Sequence, residues 1–197
     1  MDIEVLSMSR LGSRLISELG GGKQTFIDKY GRHMILARIA RENREKLQVF
    51  RGLEERNSFI EMVNNFISEM KQNNCGTAEM EAMAAESAAG SYTRRKLEDL
   101  SLLYRLYEEE IRGKYTDSED YIDLYLSKIP ASKFLEGSRV WVYGFDSFAP
   151  KALAVIGQLM ARADEVNVVL TWDDAAAGKG PHESRDADLF ALTGMVM

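Results

Sequence analysis

Three stretches of this 197-residue sequence combine residue types that can do chemistry. The first is GGGKQT, Gly20 to Thr25, in which glycines followed by a lysine could cradle a phosphate with backbone N–H groups. A phosphate loop also needs a glycine where Ser17 stands and a serine or threonine where Gln24 stands, and it should follow a strand. Here the run follows a helical pattern, so a glycine helix stop is the expectation. The second stretch is VWVYGFDSFAP, a short apolar strand that runs into a corner. Strand ends of this kind carry ligands and catalytic groups in α/β sheets, and Asp146 is the nearest carboxylate. Capping of the helix that begins at Pro150, by Asp146 or Ser147, accounts for those side chains without any chemistry. The third is YEEEIRGKYTDSEDYID, whose carboxylates could hold a metal or act as an acid–base pair. Nothing in the spacing selects a pair, and solvated helix faces are the expectation.

Other chemistry has little material. His33 and His182 lie far apart with no neighbouring ligands at metal spacing, and the single cysteine, Cys75, forms neither an intrachain disulfide nor a cysteine-based metal site. No metal site and no catalytic residue is expected. A formal net charge of -6 argues against a protein that binds nucleic acid by bulk electrostatics, so any DNA contact must be local. The apolar runs are too short to span a bilayer and the N-terminus has no signal-like core, so a cytoplasmic protein with no membrane association is expected.

The elements that must position these residues are mostly helical. Leu11, Leu15, Ile16 and Leu19 recur at helical spacing before the glycines, after a short strand or turn near Val5. Residues 25–50 suit one long helix or two joined near Gly31. Phe59, Met62, Val63, Phe66, Ile67 and Met70 trace a single stripe, the mark of a core-facing amphipathic helix. Residues 73–93 predict a weakly packed helix between turns. Further helices are expected from Leu97 to Ile111 and from about Asp117, where Asp117 and Ser118 are N-cap candidates. Tyr104, Tyr107, Tyr121 and Tyr125 fall at helical spacing and read as packing residues. At Arg139 the period changes: RVWVYGF, a helix from Pro150 carrying Leu153, Val155, Ile156, Leu159 and Met160, then VNVVLTW predict a parallel βαβ unit. The tail DDAAAGKGPHESRD reads as a loop and DADLFALTGMVM as a helix cut short, so both ends are expected to be boundaries within a longer protein.

Taken in order, VLSMSRLGSRLISELGG, KLEDLSLLYRLYEEEIRGKYTDSEDYIDLY, VWVYGFDSFAPKALAVIGQLMARADEVNVVLTWD and DLFALTGM resemble the N-terminal helicase-like part of the B subunit of AddAB-type helicase-nucleases, over nearly the whole chain. The resemblance implies an α/β, mostly helical fold. In it, residues 1–24 and 136–197 belong to a partial RecA-like parallel sheet of the superfamily 1 helicase kind, interrupted by an all-α insertion over residues 25–135. It further implies a subunit that works with an A subunit in processing double-strand breaks and scans single-stranded DNA for a Chi-type signal. The family's ATP, magnesium and iron–sulfur cluster are not expected in this piece: it resembles a region downstream of the nucleotide-binding loop, and it has one cysteine.

Carried over residue by residue, the family's Leu-Ser-Phe-Ser-Arg-Leu motif is matched by Ser7, Ser9 and Arg10, with Met8 in place of the aromatic. Its Asp-Gly-Phe and Phe-Thr-Pro-Gln-Glu motifs are matched by Gly144, Phe145, Phe148 and Pro150, while Tyr143, Ala149, Lys151 and Ala152 depart. Tyr143, Gly144 and Asp146 thus mark a degenerate magnesium-motif corner. Arg10, Ser7, Ser9, Phe145 and Phe148 are the expected DNA contacts. The competing reading is a stand-alone helical protein-interaction module, and a weaker one a nucleotide hydrolase. The first would close its sheet within these residues; a piece of a larger domain would leave sheet edges open.

Overall fold

The computed structural model describes residues 3–21, 24–145 and 147–170, and the chain divides into two compact units, Met1–Tyr125 and Leu126–Met197. In the first unit, α1 (Met8–Leu19) begins where the Ser7 Oγ accepts from the Arg10 N–H and ends at Gly20, whose N–H reaches the Ile16 carbonyl at 2.8 Å. The glycine run is therefore a helix stop at its first residue, as its context predicted; Gly22 and Lys23 lie outside the described residues. Residues 25–50 depart from a long helix. Thr25–Phe26 form a short strand, β1, and α2 (Lys29–Glu42) begins only after Asp28, whose side chain accepts from the Gly31 N–H. Gly31 lies inside α2 and joins nothing. A single 3-10 turn, Arg44–Lys46, follows.

The stripe from Phe59 to Met70 forms α3 (Asn57–Gln72), with Phe59, Ile60, Val63 and Ile67 buried. Then come α4 (Thr77–Glu86), where Glu79 accepts from the Gly76 N–H, and α5 (Tyr92–Ile111), capped by Ser91. One apolar core joins Leu36 and Ile39 of α2, Ile60, Val63 and Ile67 of α3, Met80 of α4, and Leu103, Tyr104 and Tyr107 of α5. Each fully buried aliphatic side chain there contributes about 1.5–3 kcal/mol before the entropy of ordering is set against it. A second short strand, β2 (Tyr115–Thr116), pairs in parallel with β1, Thr25 opposite Tyr115, and leads into α6 (Ser118–Leu126). This small pairing was not anticipated: two residues carry no readable alternation. Asp117 Oδ1 accepts from the Asp120 N–H at the start of α6, as a capping residue should.

The second unit holds the expected strand–helix–strand. β3 (Arg139–Val142) and β4 (Glu165–Val168) pair in parallel, Val140 opposite Val166 and Val142 opposite Val168, and α7 (Pro150–Arg162) connects them. Proline takes the first turn of α7, where its missing N–H costs nothing. Val155, Ile156 and Leu159 of α7 are buried, as is Val142. No strand forms near Val5; Ile3 and Val5 are 78% and 87% exposed, and residues 3–7 pair with no strand among the described residues. The predicted terminal loop and helix, from residue 171 on, lie outside the described residues.

Candidate nucleic-acid interface

The N-terminal turn of α1 gathers Ser7, Ser9 and Arg10. The two serine hydroxyls are 2.9 Å apart, Ser7 caps the helix, and the Ser13 hydroxyl donates to the Ser9 carbonyl at 3.1 Å. Ser7, Ser9 and Arg10 are exposed while Met8 is half-buried, so the residue replacing the aromatic turns toward the protein. No acidic residue occupies the first turn, which leaves the positive end of the helix dipole uncompensated. The Arg10 guanidinium has no carboxylate partner among the described residues. An exposed cation and hydroxyls at a helix N-terminus can contact a phosphate group.

In the second unit, β3 is followed by Tyr143, which is 78% exposed, and the chain turns at Gly144, whose φ of 81° lies in the region that a side chain makes costly. The turn brings Phe145 and Phe148 together, ring centroids 5.1 Å apart and planes tilted by 31°. Both rings are half-buried, so each keeps some accessible surface beside a neighbour that fixes its orientation. The residue before Pro150 is Ala149, whose side chain gives no capping hydrogen bond, and among the described residues Ser147 makes no side-chain hydrogen bond to the start of α7. Asp146 lies outside the described residues. Ser7, Ser9 and Arg10 thus come together in one unit, and Tyr143, Gly144, Phe145 and Phe148 in the other.

The acid-rich stretch is the larger correction. Its carboxylates do not all face solvent: Asp117 is fully buried and Glu119 is 4% exposed. Glu108, Asp117 and Asp120 converge with ligand atoms within 4.8 Å of one another, a grouping of the kind that can hold a metal ion. The cation there is Lys71, from the last turn of α3. Its ammonium lies 2.9 Å from Glu108, 2.8 Å from Asp117 and 2.7 Å from Asp120. The Tyr107 hydroxyl donates to Asp117 at 3.0 Å, and Arg32 pairs with Glu119 at 2.7 Å while its guanidinium lies 5.5 Å from the Tyr107 ring.

Burial works to lower the lysine, but Asp117, Asp120 and Glu108 outweigh it and hold Lys71 above the ordinary lysine value. Burial likewise works to raise Asp117, yet the Lys71 charge and hydrogen bond keep it below the ordinary aspartate value. Asp120 is raised by burial and by Asp117 beside it. An ammonium already seated among these carboxylates makes the cluster a structural ion cage. A readable signal existed: Lys71 falls four residues after Ile67, on the buried face of α3, and a charge at such a position requires a partner.

At the positions that the resemblance marks for cofactors, the sequence departs from the family's residue types. The degenerate corner presents a phenol at Tyr143 where magnesium would need a carboxylate, the glycine run follows a helix, and one cysteine does not ligate an iron–sulfur cluster. A family model described as ADDB, N-terminal, matches residues 1–197 of this chain. Among curated proteins, the B subunit of the ATP-dependent helicase/deoxyribonuclease of Alkaliphilus metalliredigens is 34% identical over 193 residues, which are 98% of this chain and 16% of that protein. The protein of the same name from Bacillus anthracis is 35% identical over 196 residues, 96% of this chain and again 16% of the relative. The chain therefore spans about one sixth of the length of the relatives it matches.

Proposed function

The chain belongs to the ADDB N-terminal family, and on that footing we propose that it is a non-catalytic part of the B subunit of a helicase-nuclease, contacting single-stranded DNA and scaffolding the assembly. The observation that carries this reading is the α1 corner, where an exposed Arg10, two serine hydroxyls and an uncompensated helix N-terminus occupy the positions that match the family's DNA-facing motif. The Phe145–Phe148 pair adds a stacking face at the second matched position. Relatives are named as the B subunit of an ATP-dependent helicase/deoxyribonuclease, and that name supports the reading that the whole protein works with an A subunit, in the cytoplasm, on double-strand breaks.

The RecA-like assignment of residues 1–24 and 136–197, with residues 25–135 as a helical insertion, belongs to the same proposal. Two observations support the part of it that concerns residues 136–197. The β3–α7–β4 unit is parallel, and among the described residues its sheet has two strands with Trp141 left 67% exposed. Parallel sheets are ordinarily covered on both faces, so this unit suits a larger sheet better than a closed module. No helix among the described residues is long and apolar enough to cross a membrane.

Binding of a labelled single-stranded oligonucleotide, followed by fluorescence anisotropy at low salt, tests the reading. Binding by the parent chain should be weak and fall as salt rises, and Arg10→Ala should reduce the salt slope by about one. Phe148→Ala should weaken binding by about 1–3 kcal/mol if a base stacks there. Equal binding by parent and Arg10→Ala removes Arg10 from the path of the DNA. Steady-state assays with ATP, magnesium and DNA should show no turnover, and turnover that vanishes in Asp146→Ala would sink the non-catalytic reading.

A further inference from the structure

One contact in the first unit ties the α1 corner to the ion cage. Gly12 is buried, and a Cβ placed on it would lie 2.4 Å from Tyr125 Cδ1 and 2.8 Å from Tyr121 Cε1, so α1 approaches α6 more closely than any other residue there would allow. Tyr125 is 1% exposed, and its ring and that of Tyr121 meet edge-on with centroids 5.8 Å apart. Tyr121 in turn meets Phe26 edge-on, and its hydroxyl lies 3.4 Å from the Ser13 hydroxyl. The same short helix is held from its N-terminal end by charge: Asp117 and Asp120 on Lys71 of α3, and Glu119 on Arg32 of α2. One end of α6 is thus fixed to the helical core, and its aromatic side is the seat of α1.

We propose that Gly12 is a positioning residue: its lack of a side chain seats α1 on Tyr121 and Tyr125, and α6, anchored by the ion cage, thereby fixes where Ser7, Ser9 and Arg10 are presented. The functional consequence rests on the DNA reading of Arg10; the seating does not. Helix propensity alone gives Gly12→Ala the opposite sign. Alanine is the better helix former, so a helix whose glycine faced open space would gain order from the change. Here the added methyl meets an aromatic ring that is itself packed.

The test uses the full chain with Gly12→Ala, Arg10→Ala, these two combined, and Gly12→Ala combined with Tyr125→Leu, which removes the opposing ring. Amide hydrogen exchange is followed in α1 and α5, and affinity for a labelled thymidine oligonucleotide is followed at low salt. Gly12→Ala should speed exchange of the α1 amides by about tenfold or more while α5 is unchanged, and the double substitution should recover most of the loss. Unchanged or greater α1 protection in Gly12→Ala would overturn the proposal, as would faster exchange that Tyr125→Leu does not relieve. Gly12→Ala should also weaken DNA binding as Arg10→Ala does, with no further loss when the two are combined. If Arg10→Ala weakens binding and Gly12→Ala does not, the positioning role is wrong. If neither weakens binding while α1 exchange rises as expected, the seating stands and the DNA reading of Arg10 falls.

Discussion

The two units solve the problem of buried surface in different ways. The first closes its core around Tyr107, Ile67 and Met80 and compensates its buried charges internally, with Lys71 among three carboxylates and Arg32 on Glu119. The second buries Val142, Val155, Ile156 and Leu159, yet leaves Trp141, Tyr143 and Val169 67%, 78% and 40% exposed. Trp141 lies on one face of β3, and Val140 and Val142 on the other. The contrast is one of extent: the first unit shares one apolar core among four helices, while the two-stranded sheet of the second, among the described residues, packs with the single helix α7.

Four substitutions test that contrast. Lys71→Met should be the most damaging, because it leaves Asp117 buried without its cation; a loss of about 3–5 kcal/mol is expected from urea unfolding followed by circular dichroism. A loss under about 1 kcal/mol would mean that the cage is dispensable and the first unit less self-contained than its geometry says. Gly144→Ala comes next, at roughly 1–2 kcal/mol, since an alanine would be held at positive φ. Tryptophan fluorescence reads it, because Trp141 and Trp172, the two tryptophans of the chain, both follow Leu126 in the sequence.

Asp120→Asn should cost less than any other change to the cage. Its carboxyl is raised in the fold, so Asp120 contributes stability that is complete below the unfolded aspartate value, about 3.9, and is lost as the pH rises through the raised value. Asp117 is lowered and has the reverse sign: its contribution is present above that value and lost as the pH falls through the depressed one. The unfolding midpoint of Asp120→Asn at neutral pH should therefore lie near or above that of Asp117→Asn, and its dependence on mild acid should be flatter than the parent's. The reverse ranking would reassign the burden within the cage. Smallest of all is Trp141→Ser, expected within about 0.5 kcal/mol of the parent because the ring already faces water. A large loss of stability on that change would mean that the outward face of β3 is covered within the chain itself.

The helices of the first unit were legible because apolar residues recur at helical spacing: Phe59 to Met70 announce α3 and Leu97 to Ile111 announce α5. The parallel pairing of β3 and β4 was legible from two apolar runs separated by a helix with proline at its start. The boundary at Asp28 was not, because apolar residues continue through Phe26 and Ile27 and only the cap decides where α2 begins. Of the α1 corner, the residue types were readable, and so was the glycine stop. The ion cage was legible only in part. The place of Lys71 on the apolar stripe of α3 signals a buried charge that needs a partner, but nothing in the sequence says that Glu108, Asp117 and Asp120 are the carboxylates brought to it.

Asp99 is a further case of long-range placement. It is 1% exposed on α5, and its carboxylate accepts from the backbone N–H groups of Gln48, Val49 and Phe50, at 2.8 to 3.0 Å. The connection between α2 and α3 is thus closed by a side chain some fifty positions further along the chain. Its three N–H groups find this acceptor only once α5 has docked, and a contact of such high sequence separation is expected to form late. Removing that carboxylate should leave the folding rate nearly as it was and quicken unfolding, the kinetic mark of a latch fastened after the main barrier has been crossed.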